Sequence, residues 1–176
     1  MSNLRLINKT SVSGVASANV TDVFSSDFDI YKVVATGFDT TSGTVGRGQL
    51  RFINSSGSID ASGNYGSASV AIEAAASSSY PQVKNFTTFI DFVLYDNGEV
   101  GGNSAAIWYI YNPYNSTRYT HVTFQEGHFQ ASYGSSTEQG AGYLKVLDSI
   151  TGFNLTSQSG GSFNCNFITY GLRRDT

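Results

Sequence analysis

The sequence predicts an all-β fold, a sandwich or a barrel, and three observations carry that reading. Short apolar or alternating runs recur every 8–15 residues, separated by Gly, Ser, Asn and Asp. Almost no stretch shows the 3.6-residue periodicity of an amphipathic helix. The composition is that of a packed, turn-rich chain: 14% aromatic, 19 Gly, 25 Ser, 16 Thr and 13 Asn, against only 13% charged residues among 176. Low charge with abundant aromatics excludes a chain disordered by charge and a charged coiled coil. The length suits one domain, 1–176, with no composition break or repeat to divide it.

The elements follow in order. Leu4–Ile7 is a first short run, and Asn19–Phe24, carrying Val20 and Val23, is a second. In Phe28–Gly37 the apolar face switches between Ile30 and Val33, which implies a bulge or burial on both faces. Gly43–Gly48 reads as a flexible loop. Gln49–Asn54 is a strand that Ser55-Ser56-Gly57 turns. Across 58–79 the pattern is least clear; Val70, Ile72 and Ala74 alternate, so Ala68–Ala76 is read as a strand that Pro81 ends. Thr87–Tyr95 places Thr88, Ile90, Phe92 and Leu94 on one face, and Asp96-Asn97-Gly98 turns it. Ala105–Tyr111, apolar throughout around Trp108, reads as a central strand with Trp108 and Ile110 in the core. Asn112-Pro113-Tyr114-Asn115 is a turn, Tyr119–Gln125 follows, and Glu126-Gly127 closes a hairpin onto His128–Tyr133. Gly140–Leu147, Ile150–Leu155 and Phe163–Leu172 complete eleven or twelve strands.

Function classes narrow by elimination. A net charge of −3 offers no basic field for phosphates, so the sequence points away from nucleic acid, and Arg173-Arg174 reads as a solvated tail. No apolar run approaches a membrane span, so no membrane insertion is expected. The N-terminus lacks the apolar core of a secretory signal, which implies synthesis and folding in a cytoplasm. Six N-x-S/T sequons, at Asn8, Asn19, Asn54, Asn85, Asn115 and Asn154, then read as products of composition. The single cysteine, Cys165, excludes an internal disulfide and reads as a buried thiol.

No G-x-S-x-G elbow, P-loop, H-E-x-x-H or dinucleotide fingerprint occurs. His121, Glu126 and His128 have the ligand types of a divalent-metal site, but a hairpin turning at Gly127 would not bring them together. Asp27 and Asp29, on one face of a strand, have the spacing of a carboxylate pair, and equally of a strand alternating polar out and apolar in. Glu73, Asp91, Glu99 and Glu138 stand alone in sequence. These readings assign no catalytic residue, no metal and no cofactor. The stretch Trp108–Tyr119 is the most suggestive: aromatic rings stack on sugars, and Tyr and Arg are enriched in protein interfaces. Its freer loop residues, Tyr114, Arg118 and Tyr119, are the candidates for an interface or a glycan contact.

Two segments resemble known proteins. Leu4–Thr10 continuing into Val20–Val34 resembles virion proteins of tailed phages, notably marine cyanophages. Ile150–Leu155, Gly160-Gly161-Ser162-Phe163 and Phe167–Leu172 are similar to the closing strands of phage tail-fibre and virion-surface domains, where a strand ending in Tyr-Gly-aliphatic finishes a jelly roll. The resemblance covers about a third of the chain. It implies a jelly-roll-like antiparallel β-sandwich without enzyme activity, assembled as a homo-oligomer with other virion proteins, as tail fibre, appendage or capsid decoration. It places the protein in the virion after synthesis in the host cytoplasm. A host-glycan adhesin using the loop aromatics is the other function that these readings leave open.

Overall fold

A computed structural model describes residues 3–42, 45–74, 78–96, 104–130 and 134–172. Among the described residues twelve strands run in order: β1 (Leu4–Val15), β2 (Ser17–Val20), β3 (Ile30–Ser42), β4 (Val45–Asn54), β5 (Tyr65–Glu73), β6 (Ser78–Thr87), β7 (Ile90–Asp96), β8 (Ser104–Tyr111), β9 (Thr120–Gln130), β10 (Gly134–Leu144), β11 (Ile150–Ser157) and β12 (Ser162–Leu172). There is no helix among the described residues.

Every pairing is antiparallel, and the strands form two sheets, β1-β12-β3-β8-β9-β10-β5-β6 and β2-β11-β4-β7. Setting aside the β5–β6 and β9–β10 hairpins leaves two four-stranded sheets, β1-β12-β3-β8 and β2-β11-β4-β7. The chain crosses between them at every step except β4 to β7, which is the double Greek key of a jelly roll. The two hairpins extend one sheet beyond β8, so β8 is central, as its apolar run predicts.

The core lies between the sheets. Trp108 and Ile110 are fully buried there, and Trp108 meets the Phe153 ring edge-on at 5.6 Å, with Phe167 beyond at 5.5 Å from Phe153. In β3 the inward residues are Tyr31, Val33 and Ala35, while Ile30 and Val34 face out, half-buried. The bulge implied near Ile30 occurs later, at Gly37, whose φ of +63° is left-handed. It shifts the register between Ala35 and Phe38, so that Phe38 turns inward onto Phe163.

Four further expectations are corrected. Pro81 does not end a strand; it lies within β6, opposite Val70, on the edge of the sheet, where a missing N–H costs no ladder bond. Glu126-Gly127 is no turn, because β9 runs unbroken from Thr120 to Gln130. Gly46 and Gly48 belong to β4 rather than to a loop; positions 43–44 lie outside the described residues, as do Asn97-Gly98, Glu99 and Arg173-Arg174. Asp27 and Asp29 both sit in the connection before β3, so they share no strand face.

Candidate functional site

One end of the sandwich carries the loop residues that the sequence singles out. The β8–β9 connection leaves β8 through Asn112, with φ +53°, whose N–H donates to the Asp29 carbonyl at 2.7 Å. Asn115 then holds the turn: its side-chain oxygen accepts from the Thr117 N–H at 3.0 Å and the Thr117 hydroxyl at 2.7 Å. Asn54 does the same for Ser56 and Ser58 in the β4–β5 connection. Asn154 is buried, with its amide donating to Ser17 and Asn19. These three sequons therefore have structural work of their own.

The turn separates the candidates. Tyr114 lies over a small cleft with Phe28 and Asp29, whereas Arg118 and Tyr119 line a second one with His121 and Leu147. Ile59, Tyr114, Tyr119 and Leu147, half of the large apolar residues exposed among those described, all lie in connections at this end.

His121 does not join Glu126 and His128. Alternation along β9 sends His121 outward, while Val122, Phe124, Glu126 and His128 face the core.

Sequence reasoning missed a polar cluster between the sheets. Arg47 of β4 donates through Nε to Asp91 of β7 at 2.7 Å, and its terminal nitrogen reaches Glu138 of β10 at 3.3 Å. Ser69 of β5 also donates to Glu138. Glu126 stands directly across from Glu138, and its carboxylate lies 3.4 Å from Nδ1 of His128. All three carboxylates are at most 3% exposed. Burial pushes Glu126 up to about 7, against the lowering effect of His128 and Arg47 and with a further push from Glu138. The cluster joins residues 47, 69, 91, 126, 128 and 138 from five strands, so no local spacing announces it. Its one sequence signal is the inward parity of Glu126 and His128 after Val122 and Phe124. Arg47 bridges Asp91 in its own sheet to Glu138 in the other, and so ties the two sheets together.

Cys165 is buried in β12, and burial pushes its thiol up to about 12, which leaves it a poor nucleophile.

No protein-family model matches the chain, and no curated protein matches it. Among solved structures, it is similar to parts of A. japonicus CB05 and of a fructosyltransferase from A. japonicus, at 9% and 10% identity and TM-score 0.38 for each. Each alignment covers 97% of this chain but 26% of the other, so the chain spans about a quarter of the length of those proteins. It is also similar to the carbohydrate recognition domain of Emp47p, at 8% identity and TM-score 0.29, over 94% of this chain and 78% of that one. Likenesses this slight bear on neither activity nor ligand.

Proposed function

We propose that this chain is a non-enzymatic structural protein of a phage virion surface, a tail-fibre or appendage component or a capsid decoration, that acts through protein–protein assembly. The observation that carries the reading is the exposure of Ile59, Tyr114, Tyr119 and Leu147 in connections at one end of the sandwich, with Tyr119 and Leu147 beside Arg118. Exposed aromatic and aliphatic groups beside an arginine are the composition of an interface centre. Jelly rolls serve in viral capsids, which agrees with the resemblance of the terminal segments. The burial of Asp91, Glu126 and Glu138 supports a non-enzymatic role, since no paired carboxylate there is open to a substrate.

The test is the solution mass across dilution of the native chain and of a Tyr114→Ser/Tyr119→Ser/Leu147→Ser variant. A closed homo-oligomer that the variant breaks supports the proposal, and a native chain that is monomeric throughout refutes the self-assembled appendage and leaves a decoration protein that orders only on a capsid lattice, or a glycan-binding module. Mass spectrometry of purified tailed-phage particles that carry this sequence tests the virion placement.

The second reading, a host-glycan adhesin, is favoured by the convergence of Arg118, Tyr119 and His121 on one cleft. Loss of host-polysaccharide binding in Tyr119→Ala would support it.

A further inference from the structure

The outer face of the extended sheet reverses the usual disposition of charge. On β9 and β10 the carboxylates face in, and Thr123, Gln125, Gly127, Thr137 and Gln139 face out. Strand pairing sets Val34, Ile107, Gln125, Gln139, Val70 and Pro81 opposite one another on six adjacent strands. The surface is indented along this row. Three depressions meet at Gln125, the largest an open space of about 690 Å³ over β5, β9 and β10. Small residues keep it low, with Ala105 and Gly127 on one side and Ala68 on the other. The trough therefore runs across the strands for about 24 Å, the width of five inter-strand gaps.

We propose that this trough binds an extended, neutral oligosaccharide chain. It goes beyond the assembly reading, because it lies on the sheet face and not at the loop end. Its one acidic lining residue among those described, Glu126, turns inward, and the one described cation beside it is Lys32, whose ammonium lies 6.0 Å from the Tyr109 ring at the β3 end. Two glutamine amides in cross-strand register and the Tyr109 hydroxyl supply paired donors and acceptors of the kind that sugar hydroxyls need, and the Thr137 hydroxyl, which donates to the Glu126 carbonyl, keeps an acceptor. Ile107, Val70 and Pro81 supply apolar contact for sugar C–H faces. A peptide strand suits the site poorly. The backbone groups of the floor are spent in the sheet ladder, so most of a peptide's amides would be desolvated without partners.

The test is calorimetric titration of the full chain with cellohexaose, xylohexaose, laminarihexaose and mannohexaose, repeated with Gln125→Ala/Gln139→Ala and with Tyr119→Ala. At least one probe should bind. The glutamine variant should weaken it about ten-fold or more at unchanged melting temperature, whereas binding lost in Tyr119→Ala and kept in the glutamine variant would put the sugar at the loop end and overturn the proposal. No binding by any probe at millimolar concentration, or binding that survives loss of both glutamines, overturns the proposal. Solution mass, measured on the same samples, reports separately on assembly.

Discussion

Replacing Glu126 by glutamine should stabilise the protein at neutral and alkaline pH and do little in acid. Glu126 faces His128 on its own strand, Glu138 on β10 and Arg47 on β4, with Asp91 of β7 beyond that arginine. Its carboxyl holds a proton up to about pH 7, against an ordinary value of 4.5. Below the lower value the carboxyl is protonated in folded and unfolded chains alike, and it contributes nothing to pH dependence. As the pH rises through the window, the unfolded chain ionises first, and stability falls by about 1.4 kcal/mol per pH unit, or about 3 kcal/mol in all. Glutamine keeps the neutral shape and removes that loss. At pH 8 the variant should therefore melt about 6–12 °C above the native chain, from about 2–4 °C per kcal/mol at this length. At pH 4.5 the two should nearly coincide. Thermal melts of both proteins at pH 4.5, 6 and 8 read the effect. A variant that melts at or below the native temperature at pH 8, or a gap that does not close in acid, would refute the reasoning.

Three further outcomes follow from the same packing. Arg47→Leu strips Asp91 and Glu138 of their shared cation and should cost about 3–5 kcal/mol, read as a fall in the urea midpoint. Tyr65→Phe removes a buried hydroxyl that accepts the Phe52 N–H at 2.9 Å and donates to the Asp60 carbonyl at 3.1 Å; a loss of about 1–2 kcal/mol is expected in the same assay. Cys165 should resist a thiol reagent at pH 8 in the native protein and react at once in denaturant; rapid labelling of the folded chain would contradict its burial.

The strands that alternate were legible because their period is a local property. Ala105–Tyr111 announces β8, and Val70 and Ile72 correctly suggest β5 where composition is ambiguous. Gly127 misled because a glycine beside a glutamate resembles a turn, yet β9 keeps its two-residue alternation straight through it, with a carboxylate in a core position. Pro81 misled because a proline ends an internal strand but is tolerated on an edge, and edges are set by sheet order. The loop site was half legible: Tyr114, Arg118 and Tyr119 do crowd one end, but the turn at Asn112 divides them between two clefts. The polar cluster and the trough were illegible for one reason. Each is assembled by register across strands far apart in sequence, as with Gln125, Gln139 and Val70, and register follows from how hairpins nest in the jelly roll.

Light scattering of the native chain over a hundred-fold dilution tests the assembly reading most directly. The account predicts a fixed multiple of the 18.9 kDa chain mass that persists on dilution and collapses when Tyr114, Tyr119 and Leu147 become serine. A mass of 18.9 kDa at every concentration would contradict it.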